Sequence, residues 1–185
     1  MARPDERPRC GWAVSAPEYV DYHDWEWGRP LRGDDAMFER LSLEAFQSGL
    51  SWLVILRKRA AFRAAFADFS IPAVAAFGSR DIDRLLGDAG IVRNRAKVAA
   101  VIANARIAQA MPGGLSELLW SFAPTPPQPR PATTAHVPAT SPESAAMARE
   151  LRQRGMRFIG PTTAYALMQA TGMVDDHVAG CWRAT

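Results

Sequence analysis

The sequence predicts an all-α protein. From Asp34 onward, apolar side chains recur at intervals of three and four residues, whereas the alternating apolar and polar runs that mark strands are hard to find. Residues that cap helices precede several of these segments. With 185 residues, 48% of them apolar, the chain is long enough for one helical domain with a substantial core.

Aspartate and serine residues mark the predicted helix starts, which in chain order are Asp34 or Asp35, Ser51, Ser70 and Ser79. The first of these helices carries the apolar residues Phe38, Leu41 and Ala45, and the second carries Ile55, Phe62 and Phe66. The helices after Ser70 and Ser79 are short. A longer helix runs from about Arg95 to Ala110 and places Val98, Ile102 and Ala105 on one stripe.

Residues 123–142 contain seven prolines and form the only low-complexity stretch of the chain. Because proline suits neither a helix interior nor a ladder of hydrogen bonds, this stretch is predicted to be an extended surface connection. It ends at Ser141-Pro142-Glu143, which has the cap, first-turn proline and acidic first turn of a new helix. Gly155 should close that helix.

The charge distribution is more informative than the net charge of +3. Residues 51–110 carry ten basic and four acidic side chains, with basic bursts at Arg57, Lys58, Arg59 and Arg63 and again at Arg93, Arg95 and Lys97. Such a zone suits phosphate contacts, although a solvated helix face explains most single bursts.

The N-terminal segment, residues 1–9, is charged and contains prolines, so we expect a flexible tail rather than a signal peptide or membrane anchor. No apolar stretch is long enough to cross a bilayer. With two cysteines and no export signal, the expected location is the cytoplasm. Nothing in the sequence indicates a coiled coil or an extended apolar face, so a monomer is expected.

Four of the five cysteine and histidine residues form two pairs, one near each end of the chain: Cys10 with His23, and His177 with Cys181. Together they would saturate one tetrahedral zinc ion and join the two terminal segments. His177 and Cys181 are four residues apart and would share a face if they lie on a helix. Buried free thiols, or a disulfide between Cys10 and Cys181, are the alternatives.

Two segments have the outline of a helix, a tight glycine turn and a second helix: residues 85–105 and residues 156–178. In the second, Gly160 forms the turn and Pro161, Thr162 and Thr163 begin the next helix. The free N–H groups at that helix N-terminus could bind a phosphate of nucleic acid. A hairpin of this kind on its own is more often purely structural.

Longer motifs make the interpretation specific. They are Cys10-Gly11-Trp12, the run Tyr19 to Gly28 (YVDYHDWEWG), the run Leu43 to Trp52 (LEAFQSGLSW), Asp88 to Arg93 (DAGIVR), Trp120-Ser121-Phe122, and Asp176-His177-Val178 with Gly180-Cys181. Together they resemble the DNA-3-methyladenine glycosylase I family, within the helix-hairpin-helix DNA glycosylase superfamily, over roughly residues 10–182.

The resemblance implies a helix-hairpin-helix bundle in which Cys10, His23, His177 and Cys181 bind one structural zinc ion. It also implies a pocket for an extruded base. Glu44 would lie in this pocket, Trp52 would stack on the base, and Trp12, Tyr19 and Tyr22 would line the walls. A carboxylate among apolar residues needs a donor, which a purine amino group supplies, although an internal arginine is the commoner partner.

The function implied is hydrolysis of the N-glycosidic bond of 3-methyladenine in alkylated double-stranded DNA, which releases the free base. Leu50 could act as a wedge in the space left by the flipped base, while Gly160, Thr162 and Thr163 would hold the backbone. The ending Gly172 to Val178 (GMVDDHV) resembles that of the superfamily, and by this resemblance Asp175 corresponds to its catalytic carboxylate, where this family often has Asn. It is either catalytic or a supporting partner of His177.

Two other functions remain open on the sequence. A non-enzymatic, zinc-stabilised helix-hairpin-helix module would use the hairpins and the basic zone, but it would have no use for Glu44 among aromatic residues. A zinc hydrolase would need an open coordination position, which four protein ligands do not leave.

Overall fold

The computed structural model describes residues 6–184, and within that range it contains helices and no strands. The α-helices are α1 (Pro17–Trp25), α2 (Asp34–Gln47), α3 (Trp52–Ala65), α4 (Ile71–Ala75), α5 (Ser79–Gly87), α6 (Arg95–Gln109), α7 (Leu115–Trp120), α8 (Pro142–Gln153) and α9 (Pro161–Ala170). Short 3-10 turns span Gly11–Val14, Ala67–Phe69 and Thr134–His136. The predicted all-α class is confirmed.

The helix starts follow the sequence signals in part. Ser141 caps α8, accepting a hydrogen bond from the Ser144 N–H at 3.1 Å, and α8 ends just before Gly155, whose φ is +93°. The sequence predicted Asp34 or Asp35 as the N-cap of α2, which was wrong, because Gly33 is the N-cap. Asp34 and Asp35 lie inside the first turn and accept from the N–H groups of Ser116 and Ile71, so they tie α2 to its neighbours.

The core surrounds α2, which packs against α3, α6, α7 and α9. Its buried side chains include Phe38 and Phe46, and these join a cluster of phenylalanines from α3 and the turn that follows it, namely Phe62, Phe66 and Phe69. Because α2 is buried on nearly every side, a polar residue on it must face a partner or a cavity. Glu44 is such a residue.

Both glycine-turn hairpins are present. In the first, α5 and α6 flank a turn that contains Gly90. In the second, the paired helices are α8 and α9, so the first helix of this hairpin lies before residue 156 and residues 171–178 are not helical. The hairpin accordingly spans residues 142–170, earlier in the chain than the predicted 156–178.

The two terminal segments meet. The Trp182 N–H donates to the Pro8 carbonyl at 2.8 Å, and the Arg7 guanidinium lies 4.0 Å from the centre of the Trp182 ring. Of the tail predicted over residues 1–9, residues 1–5 lie outside the described residues, and Arg7 and Arg9 are packed against the body. No helix among the described residues has the length and apolar character needed to span a membrane.

A second crossing joins the chain after α1 to the end of α9. The Gly28 N–H donates to the Gln169 carbonyl at 3.1 Å, and the Leu31 N–H donates to the Thr171 carbonyl at 3.1 Å. At Gly172, where φ is +74°, an added Cβ would lie 2.7 Å from the backbone carbon of Arg29. Only glycine allows the two backbones to approach this closely.

Candidate active site

A cavity of about 320 Å³ opens between the two terminal segments and the helices α2, α3 and α9. Its lining combines aromatic rings with a few polar groups. The lining residues are Trp12, Tyr19, Tyr22, Trp27, Glu44, Gln47, Trp52, Thr134, Val137, Ala166, Gln169, Asp176 and Val178. All five residues that the sequence assigns to the base pocket line this cavity, an arrangement suited to a flat ligand with a few polar edges.

Aromatic rings form a continuous wall. Trp12 packs edge-on against Tyr19, with ring centres 5.6 Å apart, and Tyr22 lies 5.5 Å from Trp52 in a tilted arrangement. Trp27 lies 5.0 Å from Trp12 and belongs to the same wall, although sequence reasoning did not select it. These rings offer the faces on which a heterocycle stacks.

Glu44 is a buried acidic residue that lines the cavity. It is only 5% exposed, and within residues 6–184 its carboxylate has no hydrogen-bond or ion-pair partner. Burial raises the pKa of Glu44 to about 7, and the nearby positive charge of Arg40 limits the rise. The internal salt bridge considered from the sequence is therefore not formed, and the carboxylate is available to accept a hydrogen bond from a ligand.

Trp52 and Tyr22, which also line the cavity, each carry a hydrogen-bond donor. Trp52 Nε1 is buried, with no hydrogen-bond partner among the described residues. Burial raises the pKa of Tyr22 above its usual range, so its hydroxyl keeps its proton. The cavity therefore carries an acceptor and at least one donor that the fold leaves unused.

The C-terminal wall contains Asp176, which sequence reasoning did not select. It is 5% exposed, and its Oδ2 accepts from the Tyr165 hydroxyl and from Gln169 Nε2, both at 2.8 Å. The only signal in the sequence was its place beside Asp175 in the same motif. Unlike Glu44, Asp176 is satisfied by the protein itself.

Asp175 does not line the cavity. Its Oδ1 lies 2.8 Å from His177 Nδ1, and its Oδ2 accepts from Arg130 Nε at 2.7 Å. The carboxylate is half-exposed on the far side of the histidine. This is the geometry of a residue that orients His177.

Three of the four predicted metal ligands converge in the buried space beside the cavity. The Sγ atoms of Cys10 and Cys181 and a ring nitrogen of His23 all lie within 4.8 Å of one another. Both cysteines are free, so the disulfide considered from the sequence is not formed. We refer to Cys10, His23, His177 and Cys181 as the cysteine–histidine cluster.

His177, the fourth member, lies against His23. Its ring centre is 5.0 Å from that of His23, and its Nε2 is buried with no hydrogen-bond partner among the described residues. An added Cβ at Gly28 would approach His177 Cε1 to 2.6 Å, so glycine is required for the ring to fit. His177 and Cys181 do not share a helix, because α9 ends at Ala170 and a turn brings them together.

Each histidine of the cluster has a carboxylate at Nδ1. Asp24 Oδ1 lies 2.8 Å from Nδ1 of His23, as Asp175 Oδ1 does from Nδ1 of His177. Burial lowers the pKa of both histidines, an effect that these carboxylates partly offset. The neutral rings then carry their proton at Nδ1 and leave Nε2 free to bind a metal.

Both thiols of the cluster are buried. Burial raises the pKa of Cys10 to about 11; a hydrogen bond with the Val178 backbone opposes this rise, and the neighbouring Cys181 adds to it. Two buried thiols and two imidazole nitrogens form a donor set that suits zinc.

The predicted DNA-contacting residues lie on the surface. Leu50 is 42% exposed in the turn between α2 and α3. Gly160 is the N-cap of α9, and Thr162 and Thr163 occupy its first turn, where no side chain caps the free N–H groups. The structure thus leaves these groups accessible.

Most of the predicted basic zone is already engaged within the protein. Arg57 pairs with Glu18, Arg59 with Glu26 and Arg63 with Glu39. The lysines are used in another way: Lys58 Nζ donates to the Ala89 and Gly90 carbonyls, and Lys97 Nζ donates to those of Phe46 and Ser48. Neither lysine lines the cavity.

The proline-rich segment does more than connect two helices. Thr134 and Val137 line the cavity, and Arg130 holds Asp175. The Pro131 carbonyl accepts from the Ala179 N–H at 3.0 Å. The prediction of a plain surface connection was therefore incomplete, because low-complexity composition does not indicate where an extended chain docks.

A helical body, a glycine-turn hairpin and an aromatic cavity around an unpartnered carboxylate form the arrangement that the resemblance to DNA glycosylases implies. The Methyladenine glycosylase family matches residues 12–184. DNA-3-methyladenine glycosylase 1 of Escherichia coli (strain K12) is 43% identical over 94% of this chain and 95% of that protein. The chain belongs to the methyladenine glycosylase family.

Further relatives agree over nearly the whole length. DNA-3-methyladenine glycosylase of Haemophilus influenzae is 39% identical over 94% of this chain and 96% of that protein. A solved structure of 3-methyladenine DNA glycosylase I from Staphylococcus aureus has a TM-score of 0.88 at 34% identity and covers 96% of each chain. A variant of 3-methyladenine DNA glycosylase I in complex with 3-methyladenine gives the same score and identity, covering 96% of this chain and 97% of that one.

Proposed function

We propose that this protein hydrolyses the N-glycosidic bond of 3-methyladenine in alkylated double-stranded DNA and releases the free base. The observation that carries the proposal is the unpartnered Glu44 carboxylate inside an aromatic cavity. Such a carboxylate is costly to maintain unless a ligand compensates it. A cationic purine with an exocyclic amino group supplies both the charge and the donor.

Methylation at N3 makes the base of the nucleotide cationic and therefore a better leaving group. The enzyme then needs to extrude the nucleotide, stack the base between Trp52 and the opposite wall, and admit water. The negative charge on Glu44 favours the cationic base over a neutral purine. Because both lysines are occupied with backbone carbonyls, hydrolysis by water without a Schiff base is the reaction the site supports.

The DNA duplex would contact the hairpin formed by α8 and α9 and the exposed side chain of Leu50. The free N–H groups of Thr162 and Thr163 at the start of α9 suit a backbone phosphate. Leu50, exposed on its turn, would fill the gap left in the stack. Lys97 Nζ donates hydrogen bonds to the carbonyls of Phe46 and Ser48 and so stabilises that turn.

The cysteine–histidine cluster would hold one structural zinc ion through the two Sγ atoms and the Nε2 atoms of His23 and His177. The buried, unpartnered Nε2 of His177 and the carboxylates at both Nδ1 atoms support this assignment. When bound, the ion would neutralise two thiolates and join the terminal segments, with no position left for water. Asp175 would then act through His177.

The proposal is tested by incubating the protein with methylated duplex DNA and measuring the released bases by chromatography. We expect free 3-methyladenine above the spontaneous rate, and no release of unmodified purines. DNA binding without release would instead favour the non-enzymatic binding module. The matched control is Glu39→Gln, on the same helix but outside the cavity, which should release the base like the wild type. A cytoplasmic location and a monomeric state stay predictions from the sequence.

A further inference from the structure

Arg40 is a buried cation directly behind the cavity. It lies on α2, one turn before Glu44, and is 8% exposed. Its guanidinium carbon lies 5.4 Å from the centre of the Tyr22 ring and 5.5 Å from that of Trp52. Arg40 therefore contacts two residues of the aromatic wall, although it does not line the cavity.

The hydrogen bond between Arg40 and Tyr22 has only one direction. Arg40 Nη1 lies 3.1 Å from the Tyr22 hydroxyl oxygen, and a guanidinium can donate but not accept. The hydroxyl oxygen is therefore the acceptor, and its single proton points elsewhere. Within residues 6–184 that proton has no acceptor, while Tyr22 lines the cavity.

A network of charges holds Arg40 in place. Its Nη2 lies 3.4 Å from Glu26 Oε2, and Glu26 is also bound by both terminal nitrogens of Arg59. The second arginine anchors Glu26 in turn, so Arg40 has a fixed counter-ion on the side away from the cavity. Removing Arg40 leaves Glu26 paired, so the fold should survive the change.

We propose that Arg40 is a positioning residue for base recognition, fixing the Tyr22 hydroxyl as a hydrogen-bond donor into the cavity. This inference rests on the proposed glycosylase function. With Arg40 present, the cavity offers a fixed donor at Tyr22 near a fixed acceptor at Glu44. Adenine presents the complementary pair, an amino group next to a ring-nitrogen lone pair. Without Arg40 the hydroxyl is free to rotate, and the donor is no longer pre-oriented.

A double-mutant cycle tests the inference, with Arg40→Met, Tyr22→Phe and the combined variant. The probe is free 3-methyladenine, and its dissociation constant is followed by quenching of tryptophan fluorescence. Arg40→Met should weaken binding up to about tenfold when Tyr22 is present, the loss expected for one hydrogen bond. In the Tyr22→Phe background the same change should weaken binding by a smaller factor, because no hydroxyl remains to be oriented and only the loss of positive charge near Glu44 persists.

Equal losses in the two backgrounds, or no loss when Tyr22 is present, would overturn the proposal. Circular dichroism and melting temperature check that each variant folds. If Arg40→Met does not fold, the cycle is repeated with Arg40→Leu, which likewise removes every donor at this position, and the same dependence on Tyr22 is expected. Failure of the proposed function is seen separately, because the wild-type protein would then neither bind nor release 3-methyladenine.

Discussion

The cysteine–histidine cluster and the aromatic cavity lie side by side but treat their buried polar atoms in opposite ways. In the cluster, the ligand atoms of Cys10, His23 and Cys181 face one another, and the His177 ring lies beside that of His23. In the cavity, the carboxylate of Glu44 faces open space. Neighbouring residues of α1 serve the two regions, with His23 in the cluster and Tyr22 in the wall.

This difference separates stability from recognition. Groups that converge on each other contribute to folding, so removing one should lower stability. A buried carboxylate without a partner opposes folding, so removing it should raise stability and reduce function. The predictions that follow test the cluster and the cavity separately.

The largest effect is expected for Cys181→Ser, which removes one ligand of the cluster. The loss should lower the free energy of unfolding by at least about 3 kcal/mol and bring the bound zinc well below one ion per chain. Metal analysis and thermal melting measure the two quantities. His136→Ala, which changes the one histidine outside the cluster, is the control and should keep its zinc. An unchanged melting temperature and metal content in Cys181→Ser would exclude the clasp.

Glu44→Gln changes the cavity instead and should reduce the rate of base excision. Losing the negative charge that faces the cationic base should slow excision about a hundredfold in single-turnover assays. Glu39→Gln, which changes a carboxylate on the same helix that pairs with Arg63 outside the cavity, should excise at the normal rate. Comparable rates for the two variants would mean that the cavity carboxylate has no part in the reaction.

The ionisation of Glu44 should also make the free energy of unfolding depend on pH. The pKa of Glu44 is raised from 4.5 to about 7 in the folded protein, so between these values the folded state keeps a proton that the unfolded state releases. The free energy of unfolding therefore falls by up to about 3 kcal/mol as the pH rises through this window, and it levels off above the window. Urea unfolding at pH 5 and pH 8 measures the fall. In Glu44→Gln this contribution should be absent, and an identical pH dependence in both proteins would contradict the assignment.

Asp176→Ala should have a smaller effect, and mainly on stability. It removes the acceptor of two donors, the buried Tyr165 hydroxyl and the half-buried Gln169 amide, which should cost about 2 kcal/mol. Chemical denaturation measures the loss. Because Gln169 lines the cavity, the affinity for free 3-methyladenine should fall as well. If Asp176→Ala were as stable as the wild type, the two donors would have to form hydrogen bonds with water instead.

The smallest effect is expected for Asp175→Asn. This change weakens the ion pair with the half-exposed Arg130 and keeps an oxygen for His177. Single-turnover excision should stay near the wild-type rate, and zinc retention against a chelator should fall by up to about tenfold. A large loss of excision rate with normal zinc retention would instead assign Asp175 a catalytic role.

The sequence predicted the helical class because apolar periodicity is local information, and α6 begins at the predicted Arg95. It also led to Glu44 and its aromatic neighbours through the family resemblance. It could not assign roles to Asp175 and Asp176, which are adjacent in one motif. Which of them turns toward the cavity depends on the irregular chain after α9, where no periodicity sets the direction of a side chain.

The basic zone was harder to interpret for a similar reason. Arg59 and Lys97 look alike as charges in a sequence, but one pairs with Glu26 and the other binds carbonyls at the end of α2. Those partners lie far away along the chain, and only the tertiary fold brings them close. The cavity wall at Thr134 and Val137 was unpredictable for the same reason.

The close crossing of the two backbones at Gly28 and Gly172 has a consequence for the order of events during synthesis. The cavity and the cluster both need residues that precede Leu31 and residues that follow Ala166. A nascent chain that has not yet emerged beyond α9 therefore lacks both of them, however well α2 to α7 have already folded. The cavity and the cluster should therefore form only when the segment after α9 docks against the segment around α1.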